Sequence, residues 1–133
     1  MTAPIENAVP APVGIDDHDA RDLPLTPTGS PQVVVSGDPR TAEHVLHESP
    51  EVEVGVWEVT PGVFDSRKAG CSEIMHFLSG EGRLDHADGT HSDIRPGVTV
   101  ILPEGWTGRW TVTSTVRKIY TICRVTAATP EDA

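Results

Sequence analysis

The stretch Glu73-Ile74-Met75-His76-Phe77-Leu78-Ser79-Gly80-Glu81-Gly82 decides the reading of this chain. Over its first half, large apolar residues and a carboxylate follow each other with period two, which places Glu73, Met75 and Phe77 on one face of a strand and His76 on the other. Gly80 and Gly82 bracket a sharp bend. The face carrying Met75 and Phe77 has to look inward, so the sequence aims a carboxylate at a core.

Working outward from that strand, the texture stays the same from Pro31 onward: short β-rich runs broken by Gly, Pro and Asp-Gly signals, with no helical stripe. The expected strands are Gln32 to Val35, Glu43 to His47, Val52 to Thr60, Cys71 to Leu78, Gly82 to His86, His91 to Ile94, Val98 to Leu102, Gly108 to Thr113 and Val116 to Val125. Thr60-Pro61-Gly62, Asp88-Gly89 and Arg95-Pro96-Gly97 supply the turns. So many short strands close their edges best as an all-β jelly-roll barrel. Residues 1–30, rich in Pro, Ala, Asp and Thr, read as a flexible or extended tail, in which Leu23 and Leu25 can pin part of the segment onto a neighbour. The expected division is a tail over 1–30, a barrel domain over 31–127 and a short C-terminal tail over 128–133.

The 133 residues suit one domain, and the net charge of -10 is the wrong sign for a phosphate backbone or an anionic membrane surface. Neither a positively charged leader nor an apolar run of spanning length is present, so a cytoplasmic protein is expected. Cys71 and Cys123 form no C-x-x-C pair and read as small, partly buried side chains.

Two spacings carry a family resemblance. The E-x6-G of Glu73 to Gly80 matches the end of the first cupin motif, and Gly97-x5-Pro103-x-Gly105 matches the opening of the second. Gly55-Val56-Trp57-Glu58-Val59-Thr60-Pro61-Gly62, Asp88-Gly89, Trp110-Thr111-Val112 and Val116-Arg117-Lys118-Ile119-Tyr120 extend the match over about Gly37 to Ile122. The chain resembles the small single-domain cupins related to ureidoglycine aminohydrolase and to the ethanolamine-utilisation cupins. That resemblance implies a barrel able to hold a small polar molecule, often with a divalent metal, and frequently a homodimer paired through N-terminal strands.

The metal motif itself is depleted. Where the resemblance asks for an H-x-H pair the chain has Ser66 and Lys68, or Arg67 and Ala69 in the alternative spacing, and the second-motif histidine is replaced by Gly108. Glu73 alone of the four usual ligands remains, and a lone carboxylate holds a divalent ion weakly against water. No cofactor is therefore expected; a divalent metal stays open only through an atypical set, such as Glu73 joined by His76 or by a tail histidine such as His18.

The candidate catalytic set is Glu73, Lys118 and Tyr120. Lys118 and Tyr120 share a face of the last strand, so a buried Glu73 finds its cation there, and Glu73 or Tyr120 can move a proton if burial shifts its pKa toward neutrality. Trp110 and Trp57 are expected to line the cup, with Arg67 near its mouth and His76 as a further substrate-binding candidate if a bulge re-aims it. Arg67, Lys68 and Cys71 lie in the loop leading into the Glu73 strand and could recruit an anionic ligand, with solvated loop charge slightly preferred for Lys68; Glu58 reads as a salt-bridge residue, and His86 and His91 as surface residues that could meet across the Asp88-Gly89 hairpin. Two functions stay open: a small-molecule enzyme acting on a small polar, amino- or ureido-bearing metabolite, and a non-catalytic ligand-binding module.

Overall fold

A computed structural model describes residues 14–125. Among them there are nine strands and no helix: β1 (Thr26–Gly29), β2 (Val33–Gly37), β3 (Thr41–Glu48), β4 (Val52–Val59), β5 (Gly62–Arg67), β6 (Cys71–His86), β7 (His91–Ile94), β8 (Thr99–Leu102) and β9 (Thr107–Arg124). All pairings are antiparallel, in the order β1-β3-β4-β9-β5-β2, with β6 pairing β7, β8 and β9. The sheet curls on itself, and the expected all-β jelly-roll cup is what the chain forms.

β6 and β9 are the frame. They run beside each other from Cys71 opposite Arg124 to His86 opposite Gly108. Glu73, Met75 and Phe77 point inward from β6, as the two-residue period requires, and Trp110, Val112, Val116, Lys118 and Tyr120 point inward from β9. The register of β6 slips three times between Phe77 and Gly82, which moves its inward set from odd to even positions so that Leu84 is buried beyond the bend. The core packs Val59, Phe64, Met75, Phe77, Leu84, Ile94, Leu102, Trp110 and Val116 around this frame.

Several boundaries differ from the sequence reading. The two pairs of strands expected over 71–86 and over 108–125 are two continuous strands, because bulges bend the chain without ending its ladder. β5 was not expected; Gly62-Val63-Phe64-Asp65-Ser66-Arg67 buries only Phe64, and its strand conformation comes from pairing with both β2 and β9. β1 lies inside the stretch read as a tail and pairs with β3. Ahead of it, the Arg117 guanidinium donates to the carbonyls of Ala20 and Leu23, pinning that segment against β9, and Arg117 also pairs with Glu58 as expected of that residue.

The bend at Gly80 tests the frame. Gly80 has φ of 95°, and a Cβ there would collide with the carbonyl of Thr115 and the Cα of Val116 on β9. Gly89 also has positive φ, at 90°, but faces open space. Gly89→Ala therefore carries only the conformational cost of about 1 kcal/mol, whereas Gly80→Ala adds overpacking and loses about 3 kcal/mol or more. Urea unfolding midpoints of the two variants should separate in that order; equal midpoints would show that β6 and β9 yield at the bend.

Candidate functional site

An open cavity of about 820 Å³ enters the cup, lined by β1-to-β2 loop residues and by inward side chains of β3, β4, β5, β6 and β9. Glu73 stands at its floor, 2% exposed. Lys118 reaches it across the β6–β9 pair, its Nζ donating to Glu73 Oε2 at 2.7 Å and contacting Met75 Sδ at 3.1 Å. Lys68, from the loop after β5, places its Nζ 2.5 Å from the other oxygen, Oε1, as an ion pair set off the line of a hydrogen bond. That loop is held in place by two backbone bonds to the turn before β9: Lys68 N–H donates to Trp106 O, and Gly105 N–H donates to Lys68 O.

The walls are aromatic. Lys118 Nζ lies 4.5 Å from the Trp57 ring centroid and 4.9 Å from that of Trp110, close enough for cation–π attraction. Trp110 stacks on Phe64 at 5.4 Å and meets Phe77 edge-on at 6.1 Å. Strand alternation accounts for this set, since Trp110 and Lys118 share a face of β9 and Trp57 is the register partner of Lys118 on β4.

Tyr120 lines the same cavity but uses its hydroxyl elsewhere. Its oxygen lies 2.5 Å from Glu43 Oε2 and 2.7 Å from Glu53 Oε2, so one proton is shared between two carboxylates. Arg124 Nη2 holds the other oxygen of Glu53 at 2.6 Å. The hydroxyl fits because Gly55, its register partner on β4, has no side chain; a Cβ there would stand 2.6 Å from Tyr120 Oη.

These surroundings set the proton affinities. Burial pushes the Glu73 carboxyl up, but the charges of Lys118 and Lys68 and their contacts outweigh it, and the group is held below its ordinary value. Burial pushes the Lys118 ammonium down, Glu73 draws it back up and Lys68 pushes it down again, leaving it below the ordinary lysine value. Burial, then the two glutamates, push the Tyr120 phenol up. The shift toward neutrality expected of Glu73 or Tyr120 is thus reversed for both, because Glu73 faces cations and Tyr120 faces anions. Lys118 is the member of the expected set that moves toward neutrality.

The other expected site residues divide. Trp57, Trp110 and Arg67 line the cavity. His76 does not: it lies on the outer face of β6 with Nδ1 2.7 Å from Thr99 Oγ1, because the bulges that change the parity of β6 begin only after Phe77. His86 and His91 do not meet across their hairpin. His86 accepts from Trp106 Nε1 at 2.9 Å, lies 2.8 Å from Ser92 Oγ and reaches the cavity lining, while the cross-strand partner of His91 is Asp85. Lys68, read as solvated, is 17% exposed and paired. Lys68, for which the sequence slightly prefers solvated charge over anion recruitment, and Glu43, Phe64 and His86 are the residues whose place at the cavity the sequence reading did not give. A usable signal existed for the first: Lys68 and Lys118 are the only lysines in the chain.

The donor set does not fit a metal of the kind the family often carries. Both Glu73 oxygens face lysine ammoniums. At Gly108, where the resemblance places a histidine, the room is filled by the Trp106 ring and the Asp85 carbonyl. Among the described residues no three His, Cys, Asp or Glu side chains converge as ligands, and His18 packs beside His44, 6.2 Å between ring centroids. Cys71 and Cys123 are free thiols.

The comparisons with known proteins agree with this architecture. The model of the EutQ-like cupin domain matches residues 46–120. A protein of unknown function from Pseudomonas syringae pv. tomato is 31% identical with a TM-score of 0.69; the match covers 77% of this chain, which spans only 45% of that one. The EutQ protein of Clostridium difficile is 21% identical over 67% of this chain and 71% of its own, with a TM-score of 0.57. The polyketide cyclase RemF of Streptomyces resistomycificus shares the fold at 16% identity, covering 90% of this chain and 89% of its own with a TM-score of 0.61. None of the curated proteins matches the chain.

The buried cluster makes a stability prediction with a definite sign. Glu73→Gln leaves two lysines without their carboxylate and should cost about 3–5 kcal/mol, as removal of one member of a buried pair does. Glu73→Leu combined with Lys118→Met should cost less, because the second buried charge goes too. Since folded Glu73 binds its proton more weakly than the free group, its contribution is complete above the ordinary value of 4.5 and is lost as pH falls through the folded one. Denaturation midpoints followed from pH 7 down to pH 3 should therefore fall more steeply for the native chain than for the double variant; parallel curves would refute the coupling.

Proposed function

The chain belongs to the EutQ-like cupin family, and we propose that within it this protein is a metal-independent small-molecule cupin whose cup binds, and acts on, a small polar metabolite bearing an anionic group. The observation that carries the reading is the Lys68–Glu73–Lys118 cluster on the cavity floor. One carboxylate faces two lysines there, so at this cluster an anion is the species that balances the local charge, while Glu43, Asp65 and Asp85 form the acidic part of the same lining. The Trp57, Phe64 and Trp110 wall gives such a ligand a dry flank. Glu43 and Thr41, also on the lining, offer oxygen acceptors on another side and favour a ligand with amino or ureido hydrogens.

In this reading Glu73 stays ionised and takes part as a proton acceptor in company with the lysines, the lysines hold and polarise the ligand, and Tyr120 positions Glu43. A second reading, a binding module without catalysis, is favoured by one observation: Glu73 is held below its ordinary proton affinity, which makes it a weak base. A homodimer accords with edge strand β2, whose Val33, Val34 and Val35 are all exposed and which, among the described residues, pairs with β5 alone. Light scattering should then give twice the chain mass, reduced by Val34→Lys; a monomer in the native chain would remove the dimer.

The site is tested by thermal shift against small carboxylates with and without amino or ureido groups, followed by mass spectrometry of the same mixtures. A ligand at a hundredfold excess over its Kd raises stability by about 2.7 kcal/mol. Such a rise is expected for the native chain and for His76→Ala, and is expected to be lost in Lys68→Met. A new product signifies the enzyme and a persistent unchanged ligand the binding module. If loss of Lys68 leaves every shift unchanged, the cluster is not the site.

A further inference from the structure

Resting on the reading of the cup as a metal-free site for small anions, we propose that Lys118 is an imine-forming lysine, and that the ligand it takes is a small 2-oxo acid whose carbonyl carbon it attacks. Three features of the molecule lead there.

The first is the choice of cation. The chain has eight arginines and two lysines, and both lysines converge on one buried carboxylate while arginine makes the other Asp and Glu pairs of the described residues, those of histidine aside. Arginine is the better partner for a permanent buried ion pair, being always charged and able to bond a carboxylate twice; lysine differs in that it can give up its proton and become a nucleophile. An ion pair serving stability alone gives no reason to depart from arginine at both places.

The second is the arrangement. Two amines on opposite oxygens of Glu73 exceed the one charge that carboxylate can balance, and the amine farther from water is Lys118, 5% exposed against an aromatic wall. A desolvated lysine beside a second cation is the setting in which an amine nucleophile is activated. Burial and the charge of Lys68 both disfavour the charged form of Lys118, in accord with this placement.

The third is that the neighbours complete the step. The Nζ lone pair of neutral Lys118 forms the C–N bond as the carbonyl π pair moves to oxygen. Glu73, 2.7 Å from that nitrogen, takes its proton and passes it to the alkoxide, giving a carbinolamine. The Lys68 ammonium, on the same carboxylate, then protonates the hydroxyl, which leaves as water while the nitrogen lone pair forms the C=N bond. Amine, carbonyl and one proton become iminium and water, with no oxidant or reductant. Arg67 is available at the cavity for the carboxylate of the oxo acid.

The chain is well suited to the test, because its primary amines are Lys68, Lys118 and the α-amine alone. The full-length protein is incubated with pyruvate or with glyoxylate and sodium cyanoborohydride, then weighed intact and mapped by peptide. The expected result is one reduced adduct on Lys118, lost in Lys118→Arg and in Lys118→Met, each checked for its β circular-dichroism spectrum. Adducts confined to Lys68 or the α-amine, or no adduct from either oxo acid, overturn the proposal. A thermal shift by pyruvate without an adduct overturns the imine and leaves the anion site standing; absence of a shift by any carboxylate removes the site reading as well.

Discussion

The structure depends on how a buried carboxylate is made tolerable. Glu73 sits in β6 between Ser72 and Ile74 and is nearly inaccessible to water. An unpaired ionised carboxylate in such a place is heavily penalised and would take up a proton. Here two cations arrive from separate parts of the chain, Lys118 from β9 and Lys68 from the loop after β5, so the carboxylate ties strand, facing strand and loop at one point. The loop is not held by charge alone, since its backbone also bonds to Gly105 and Trp106. That double attachment lets Lys68 keep a fixed position against Glu73.

Around this point the cup separates its charges. The Lys68–Glu73–Lys118 cluster has an excess of cations, whereas the Glu43–Tyr120–Glu53 group has an excess of carboxylates, relieved at its outer edge by Arg124. Lys118 and Tyr120 are two residues apart on one face of β9 and link the two groups without merging them. A ligand entering the cavity therefore meets opposite potentials on two sides, with the Trp57, Phe64 and Trp110 wall between. In the proposed reading, shape and aromatic contact set the size of what fits and the separated charges set its orientation.

What the sequence disclosed follows from which forces are local. The period of two in Glu73, Met75 and Phe77, and in Lys118 and Tyr120, placed those side chains inward without any knowledge of partners, and the structure keeps that placement. β1 and β5 were invisible because nothing local favours them: Thr26-Pro27-Thr28-Gly29 contains two turn residues, and β5 buries a single large side chain. Their strands exist through pairing with β3, β2 and β9. The directions of the Glu73 and Tyr120 shifts were also misread, since burial is a property of one strand but the sign depends on neighbours from others. Tyr120 meets Glu43 and Glu53 only because the register of β3, β4 and β9 brings them beside Gly55.

Lys68 exposes a further reason. Its position was weighed as a missing histidine and then as loop charge, yet its side chain puts a cation onto the same carboxylate that would otherwise help to hold a metal ion. A metal ion at that point would offer open coordination positions and could polarise a ligand oxygen directly. An ammonium offers hydrogens and a proton, and a second lysine behind it offers a nitrogen lone pair once a proton is lost. With Lys68 at one of the places where the resemblance implies a histidine, the proposed chemistry at Glu73 is that of amines, and the electrostatic demand of the carboxylate is met by Lys68 and Lys118. In this chain the cations opposite Glu73 are two amines, and the proposed reading of the cup rests on that pairing.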